Sequence, residues 1–171
     1  MFPLLFLIVF IILLTFAYAG FRGAPWVPTK SHDVERFLKL AHIKPGQHFV
    51  DLGCGDGRLV IAAAEAGASA TGYEISLFPF ILAHIHGLFQ PSEIRKRTAI
   101  RYRDFWNTSL EDADIVYTFL MPDKMEKLKA KLKKELKPNS KVIAYVWPIP
   151  GWTPVKKDSE EHHYSIYLYE V

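Results

Sequence analysis

The chain has 171 residues, a formal net charge of +3 and a single cysteine, Cys54. This length allows one domain with a hydrophobic core and is too short for two domains of ordinary size. With 50% hydrophobic and 23% charged residues, the composition excludes a disordered chain. The net charge is too small to indicate a nucleic-acid partner by itself. One cysteine excludes an internal disulfide and a cysteine-based zinc site.

The first segment, residues 2–21, reads FPLLFLIVFIILLTFAYAGF and holds no charged side chain. About 20 apolar residues at ~1.5 Å rise cover the ~30 Å hydrocarbon core of a bilayer, so we expect a transmembrane anchor over residues 1–21. A cleaved signal peptide is the alternative, because AYA at 17–19 resembles a cleavage site. No basic residue precedes the run, however, and the run is long for a signal peptide. Arg22 and Lys30 follow it, so the positive-inside rule predicts a single-pass protein with its domain on the cytoplasmic side and its N-terminus outside.

Beyond the anchor, the sequence predicts a linker over residues 22–30 and one domain over residues 31–171. The linker, RGAPWVPTK, contains two prolines and shows no periodicity. Apolar residues at helical spacing predict helices over 31–41, 59–65, 77–89 and 122–136. Short apolar or alternating runs predict strands over 48–52, 69–73, 98–103, 114–120 and 141–147.

The order of these elements predicts the fold class. Strands that alternate with helices build βαβ units, which give an α/β, Rossmann-like, doubly wound and mostly parallel sheet. Two final strand segments, 152–155 and 164–171, have no helix between them. They predict a C-terminal antiparallel hairpin, with one antiparallel strand at the sheet edge.

A glycine-rich loop, DLGCGDGR at residues 51–58, directly follows the first predicted strand. Its glycines lie at positions 53, 55 and 57, whereas the dinucleotide fingerprint G-x-G-x-x-G requires the third glycine at position 58, which is Arg58. The loop also lacks the Gly-Lys-Ser/Thr ending of a phosphate-binding P-loop. The sequence therefore predicts close approach of a small ligand and argues against both of these nucleotide-binding motifs.

Acidic residues end three successive predicted strands, namely Asp51, Glu74 and Asp104. The carboxyl ends of parallel strands form the ligand-binding edge of such a sheet. A carboxylate can accept hydrogen bonds from two ribose hydroxyls, or one from an exocyclic amine such as that of adenine. Asp51 and Asp56 would repel a pyrophosphate but attract an ammonium and a sulfonium. S-adenosylmethionine carries both of these cations, so we expect it to be the cofactor.

Together, VDLGCGDG at 50–57, GYE at 72–74 and Arg103-Asp104 resemble the class I (seven-strand) S-adenosylmethionine-dependent methyltransferases. The resemblance covers residues 23–171. More narrowly, APWVPT at 24–29 and WPIPGW at 147–152 are similar to the small membrane-anchored protein-lysine methyltransferases of the adenine nucleotide translocase and ATP synthase c-subunit type, with their prokaryotic relatives. The chain departs from that subfamily at Val146-Trp147-Pro148, where an Arg-Phe-Pro is typical.

The resemblance implies roles for the motif residues. Asp51 and the three glycines would line the methionine half of the cofactor, Glu74 would hold the ribose, and Asp104 with Phe105 the adenine. Pro28 and Thr29 would form part of a lid. From its residue type, Cys54 is expected to be a small packed residue within the loop and not a nucleophile. The implied cofactor site comprises Pro28, Thr29, Asp51, Gly53, Cys54, Gly55, Gly57, Glu74, Asp104 and Phe105.

The methyl acceptor is less well defined by the sequence. A dry aromatic channel would lower the pKa of a lysine and hold its methylated forms over aromatic faces, and we expect Trp26, Met121, Trp147 and Trp152 to contact the substrate. The resemblance implies a lysine of a membrane protein. Alternatives are a quinone-like or lipid-like acceptor and an inert cofactor-binding module. No residue identifies itself as the catalytic base.

Two further partner classes are not expected. Met121-Pro122 stands where enzymes that methylate nucleic-acid bases often carry Asn/Asp-Pro-Pro-Tyr, and the absence of that motif argues against a nucleic-acid substrate. His162-His163 has no carboxylate or cysteine at usable spacing along the sequence, so a polar loop is expected there instead of a metal site.

Overall fold

The computed structural model describes residues 2–171 of the chain. In chain order, the helices are α1 (Phe2–Arg22), α2 (Ser31–Ala41), α3 (Arg58–Glu65), α4 (Leu77–Leu88), α5 (Ser92–Arg97) and α6 (Met125–Glu135). The strands are β1 (His48–Leu52), β2 (Ser69–Glu74), β3 (Thr98–Tyr102), β4 (Ile115–Thr118), β5 (Lys141–Tyr145), β6 (Lys156–Asp158) and β7 (Ile166–Glu170). Two short 3-10 helices, Phe105–Asn107 and Pro122–Lys124, follow β3 and β4.

The strands form one seven-stranded sheet in the order β3-β2-β1-β4-β5-β7-β6. Strands β1 to β5 pair in parallel, and β7 runs antiparallel to both β5 and β6. The predicted Rossmann-like, mostly parallel α/β sheet with a C-terminal hairpin is therefore confirmed. The hairpin lies at the sheet edge as predicted, with β6 as the edge strand and β7 between β5 and β6. The returning strand of the hairpin, and not its first strand, pairs with β5.

Hydrophobic residues cover both faces of the sheet, as a doubly wound fold requires. Successive side chains of a strand point to opposite faces, so Phe49 of β1 joins one cluster and Val50 the other. The first cluster includes residues of α2 and α3, and the second includes Leu128 and Leu132 of α6. This two-sided core fixes the strands whose carboxyl ends carry the acidic residues.

The structure contains one helix that the sequence did not predict and one strand at a different position. The sequence did not predict α5, which buries none of its six residues and therefore gives no apolar periodicity. The first hairpin strand lies at Lys156–Asp158 instead of 152–155, and its residues are exposed or half-buried, so it lacks the apolar signal on which the prediction depended.

Helix α1 is the one described helix that is long and apolar enough to cross a membrane by length and composition, over Pro3–Arg22 with a mean hydropathy of 2.7. Most of it is exposed, but its last turns contact the domain. Thr15 Oγ1 accepts a hydrogen bond of 3.1 Å from the backbone N–H of Leu77, and Trp106 Nε1 donates one of 3.0 Å to the Arg22 carbonyl. Helix α1 therefore ends against the carboxyl edge of the sheet.

Candidate active site

The glycine loop turns sharply at the carboxyl end of β1. Gly53, Gly55 and Gly57 all have positive φ angles, of 94°, 56° and 79°, which side chains other than glycine rarely adopt. A Cβ at Gly55 would also lie 2.9 Å from the indole ring of Trp26, and one at Gly53 would lie 3.0 Å from Ala24 Cβ. The loop thus needs glycine for its backbone and for the close approach of the segment 24–26.

Glu74 ties this loop to the end of β2. Its carboxylate is buried and accepts hydrogen bonds from the backbone N–H groups of Gly55 at 2.8 Å, Ile75 at 2.8 Å and Ser76 at 2.6 Å. Burial still raises the pKa of Glu74, because the loss of solvation outweighs these hydrogen bonds. The carboxylate is therefore held rigidly at the point where the loop meets β2.

Asp51 is the least compensated charge of the site. It is 2% exposed, and its Oδ1 atom has no hydrogen-bond partner among the described residues. Burial, followed by repulsion from Glu74 and Asp56, raises the pKa of Asp51 well above its ordinary value. In contrast, pairing with Arg58 outweighs burial and lowers the pKa of Asp56. A cationic ligand would supply the partner that Asp51 lacks.

Unpartnered polar atoms collect at this edge of the sheet. Six buried side-chain atoms lack a hydrogen-bond partner within the part of the chain that the structure describes, and all lie at the carboxyl ends of the strands or in the segment covering them. Buried polar groups are nearly always satisfied in folded proteins, so such a concentration indicates a ligand site. The atoms belong to Arg22, Trp26, Asp51, Ser76, Asp104 and Thr118, of which the Asp104 oxygen is met by an ion-pair contact with Arg22.

Of the two residues predicted to bind adenine, Asp104 lies in a cleft and Phe105 lies in the hydrophobic core. Asp104 lines a cavity of about 410 Å³ together with Ile75, and its carboxylate contacts Arg22 Nη2 at 2.5 Å. Phe105 is 3% exposed and belongs to the core cluster under α6. Helix α1 supplies the opposite wall of the cavity through Leu14, Thr15 and Tyr18. This contribution of α1 was not predicted.

The predicted lid residues do cover the glycine loop. Arg58 donates a 2.6 Å hydrogen bond to the Thr29 carbonyl, and Thr29 Oγ1 lies 3.4 Å from the Tyr117 hydroxyl. Trp26 and Pro28 complete a wall around a cavity of about 30 Å³ above Asp51, which is room for about one or two water molecules. A methionine chain therefore enters this space only if the Trp26 side chain moves away from Gly55.

An apolar groove adjoins this cavity beyond β4 and β5, with a volume of about 440 Å³. It includes Met121 and Trp147, two of the predicted substrate residues, and it shares Pro25, Val27 and Phe119 with the cavity above Asp51. The remaining residues of the groove are Leu120, Val146 and Tyr164.

Trp152 lies apart from the other three predicted substrate residues. Its ring packs edge-on against Tyr169 at 5.7 Å, next to a separate surface cavity that includes Lys133. The structure therefore brings Trp26, Met121 and Trp147 to adjoining spaces and leaves Trp152 outside them. Sequence spacing could not reveal this, because Gly151 (φ 68°) adopts a left-handed backbone conformation between Trp147 and Trp152, so the two rings do not follow a regular spacing.

Cys54 and the histidines have local partners. The Cys54 thiol is buried against Gly72, where an added Cβ would lie 2.6 Å from Sγ, and burial raises its pKa well above the usual range. His163, Glu160 and His32 form a cluster that the sequence spacing did not show. Its members already hydrogen-bond one another or Asp33, with His32 Nε2 at 2.7 Å from Glu160 and His163 Nδ1 at 3.2 Å from Asp33.

Taken together, a seven-stranded Rossmann-like sheet, a glycine turn and buried acidic residues with unmet partners define a methyltransferase of the S-adenosylmethionine-dependent class. Residues 51–156 match the family described as the ANTKMT methyltransferase domain. The chain belongs to this family, as the resemblance in its sequence predicted.

Similar proteins agree with this assignment. A protein-lysine N-methyltransferase of Saccharolobus islandicus is 34% identical over 154 residues, which is 86% of this chain and 93% of that protein. An ATP synthase c-subunit lysine N-methyltransferase of Rattus norvegicus is 35% identical over 130 residues, covering 76% of this chain and 59% of the rat protein. The chain thus spans nearly all of the archaeal relative but little more than half of the animal one.

A solved structure carries the cofactor product. An RNA methyltransferase from Salinibacter ruber in complex with S-adenosyl-L-homocysteine has a TM-score of 0.78 and 28% identity, covering 84% of this chain and 93% of that one. S-adenosylmethionine is the cofactor of the family, and the acidic cleft fits it, since the unpartnered Asp51 Oδ1 can meet a cation and the glycines place no side chain between the loop and a ligand that displaces Trp26.

Proposed function

We propose that this chain methylates a lysine side chain of a membrane protein. The observation that carries the proposal is the junction of two unlike spaces. An acidic, glycine-lined cavity and an apolar groove share the residues Pro25, Val27 and Phe119. A cation-bearing methyl donor suits the first space once Trp26 moves away from Gly55, and the long apolar stem of lysine suits the second.

On the cofactor side, the chain's own residues would bind and orient S-adenosylmethionine. Asp51 would face the cationic methionine half, and Glu74, already fixed by three backbone N–H groups, would accept hydrogen bonds from the ribose. Asp104 would accept one from the adenine after release or adjustment of its contact with Arg22. S-adenosylmethionine supplies a methyl group on a sulfonium, whose sulfur keeps the electron pair when the carbon–sulfur bond breaks.

On the acceptor side, the groove must deliver an uncharged amine. A lysine has a pKa of about 10.4 in water, and removal of solvent by the apolar walls favours the neutral form that attacks a methyl carbon. Trp147 and Tyr164 offer aromatic faces that can hold the methylated cation formed after transfer. Among the described residues that line the groove, the Tyr164 hydroxyl is the one titratable group, so alignment and desolvation supply the acceleration.

The relatives support a protein acceptor at a membrane. The rat relative is named for a lysine of the ATP synthase c-subunit, and the archaeal one for protein lysines. We propose that residues 1–21 anchor this chain, that 22–30 form a linker and lid, and that 31–171 form the catalytic domain on the cytoplasmic side. The apolarity and exposure of α1, with the basic Arg22 as its last residue, support this topology.

The acceptor can be tested by supplying labelled cofactor. Purified full-length chain is incubated with methyl-labelled S-adenosylmethionine and membranes from cells that lack the enzyme, and label is counted separately in the protein and lipid fractions. We expect label on protein, at lysines that mass spectrometry shows to gain methyl groups. Label in the lipid fraction alone would establish the quinone-like or lipid-like acceptor instead, and no transfer in spite of cofactor binding would establish an inert module.

A matched pair of variants tests the groove. Trp147→Ala opens the groove, whereas Trp152→Ala removes a tryptophan from the separate surface cavity. We expect a fall in the rate of protein methylation for Trp147→Ala with unchanged cofactor affinity, and nearly unchanged methylation for Trp152→Ala. Equal effects of the two substitutions would contradict the assignment of the groove to the acceptor.

A further inference from the structure

Helix α4 exposes an unusual amount of apolar surface. It reads LFPFILAHIHGL, yet only Pro79 and Ala83 are buried among its twelve residues. Its outer face presents large apolar side chains at helical spacing, and the exposure rises to 83% at the residue after the helix. Contiguous apolar patches of this kind mark interaction sites in folded proteins. The residues of this stripe are Phe78, Ile81, Ile85, Leu88 and Phe89.

The stripe is a fixed feature, because the inner face of α4 is held by the domain. Ala83 lies close to Gly57, where an added Cβ would meet Ala83 Cβ at 3.1 Å. His86 Nδ1 lies 3.0 Å from the Asp56 carbonyl oxygen, and the rings of Phe80 and Tyr102 are 5.1 Å apart. Turning the stripe inward would break all three contacts.

The stripe is continuous with α1. The Phe16 ring lies 6.4 Å from the Phe78 ring, and Thr15 Oγ1 caps the first N–H of α4. The apolar run Pro3–Arg22 has 20 residues, which rise about 30 Å, the thickness of the hydrocarbon core. Thr15 and Phe16, which contact the start of α4, lie six or seven residues before the end of this run, which is about 10 Å along the helix axis. A bilayer that covers the run therefore also covers the start of the stripe, at a depth that interfacial helices reach.

A basic segment, called the basic border below, follows the stripe in the sequence. From Ser92 to Arg103 there are five basic residues and one acidic residue, Glu93, so this short segment carries a net charge of +4, more than the +3 of the whole chain. All five are exposed, and within the described chain only Lys96 is paired, with Glu93 at 2.9 Å. Anionic lipid headgroups attract such clusters. The five residues are Arg95, Lys96, Arg97, Arg101 and Arg103.

We propose that the outer face of α4, with this basic border, docks on the anionic surface of the same bilayer that α1 enters. The proposal rests on the membrane anchoring in the proposed function and goes beyond it. A stripe beside a spanning helix gives the domain a second attachment, because an apolar face with a basic edge is the pattern of helices that lie in a membrane interface. Two attachments fix the tilt of the domain, and with it the direction in which the groove faces the membrane.

The test places an environment-sensitive fluorophore on the full-length chain. Phe89→Cys puts a label at the exposed end of the stripe, and Lys156→Cys puts one at the opposite edge of the sheet, while the native Cys54 is buried. The protein is inserted into vesicles of phosphatidylcholine with or without phosphatidylserine, and lipids bearing nitroxide quenchers report contact. We expect a blue-shifted and quenched label at position 89, enhanced by phosphatidylserine, and an aqueous, unquenched label at position 156.

An aqueous and unquenched label at position 89 in both vesicles would overturn the proposal. A blue shift that depends on protein concentration and not on quencher lipids would show instead that a second copy of the chain covers the stripe. Neither result depends on methyl transfer. Cofactor affinity, measured on the same samples, shows separately whether the catalytic assignment holds.

A charge-reversal pair tests the basic border. Arg95→Glu with Arg97→Glu changes the border, and Lys133→Glu with Lys134→Glu makes the same charge change on the exposed face of α6. We expect the first pair to abolish the phosphatidylserine enhancement at position 89 and the second pair to retain it. An equal loss of the phosphatidylserine enhancement in both pairs would show that net charge alone causes it, and would contradict a specific docking face.

Discussion

Two buried clusters of charge in this molecule have opposite character. On one side of the domain, Arg36 and Asp33 are each 1% exposed and joined by a 2.8 Å hydrogen bond. Arg36 also contacts Asp158 and donates to the Tyr164 carbonyl, while the Tyr145 hydroxyl donates to Asp33 at 2.6 Å. At the carboxyl edge of the sheet, in contrast, the equally buried Asp51 has an oxygen with no partner among the described residues.

The pKa of the buried aspartate is shifted in opposite directions in the two clusters. Burial acts on both Asp33 and Asp51, but hydrogen bonds from Tyr145 and Arg36 outweigh it and lower the pKa of Asp33. No described residue compensates Asp51 in this way, and its pKa is raised by burial and by its acidic neighbours. A buried charge that folding satisfies serves the structure, whereas a buried charge that folding leaves unsatisfied marks a ligand site.

The largest effect on stability is expected in the satisfied cluster. Arg36→Ala leaves Asp33 and Asp158 without their cation and should lower the free energy of unfolding by about 3–5 kcal/mol, because breaking a buried pair strands a charge. Urea unfolding of the full chain in detergent, followed by tryptophan fluorescence, measures this. The cofactor affinity of the folded fraction should be unchanged.

Arg58→Ala is the comparison for this loss, since the Arg58 side chain is 36% exposed and pairs with a single carboxylate, Asp56. Its effect on the free energy of unfolding should be smaller, about 1–3 kcal/mol, because Arg58 is itself partly solvated but its removal leaves the buried Asp56 carboxylate without its cation. Similar losses for the two arginine variants would contradict the distinction between a satisfied structural cluster and the cleft.

The next largest effect is expected on cofactor affinity, at Glu74, which we propose binds the ribose. Glu74→Ala should weaken cofactor binding by about 2–3 kcal/mol, the loss of hydrogen bonds to a charged acceptor, as measured by calorimetry. Because Glu74 also holds Gly55, Ile75 and Ser76, Glu74→Gln serves as a control that retains an acceptor. We expect an intermediate affinity for Glu74→Gln. Wild-type affinity in Glu74→Ala would leave Glu74 only its role in shaping the loop.

The sequence predicted much of this site because its signals are local. The glycine turn and the acidic residue at the end of β2 each lie within a few residues of a strand, and a parallel sheet brings strand ends together. What it could not predict depends on contacts between distant parts of the chain. Tyr18 of α1 joins the cavity of Asp104, Phe105 turns into the core, and Trp152 lies away from the groove. The same is true of Arg36, whose partners Asp158 and Tyr164 are more than one hundred positions away.

The smallest effect, and the sharpest for the comparison, is expected from Asp51→Asn. This substitution keeps the shape of the side chain and removes its charge, so cofactor binding should weaken by about 1.5 kcal/mol as a charged hydrogen bond is lost. The ligand-free protein should become more stable at neutral pH, because a buried carboxylate without a partner is removed. Thermal unfolding of the free protein and calorimetry with S-adenosylmethionine measure the two changes. Lower stability together with weaker binding would place Asp51 among the structural charges.

The pH dependence gives the sign of the Asp51 effect independently. Its pKa in the folded, ligand-free protein lies above that of the unfolded chain, so its ionisation costs stability as the pH rises from the unfolded value through the folded one. A bound cation favours the ionised carboxylate. Binding should therefore release a fraction of a proton at pH values below the raised pKa, and affinity should increase with pH until Asp51 is ionised in the free protein. Calorimetry in two buffers of different ionisation enthalpy measures the released protons, and Asp51→Asn should abolish the release. Proton uptake on binding, or the same release in Asp51→Asn, would show that another group carries the linkage and that the cleft charge is already compensated before the cofactor arrives.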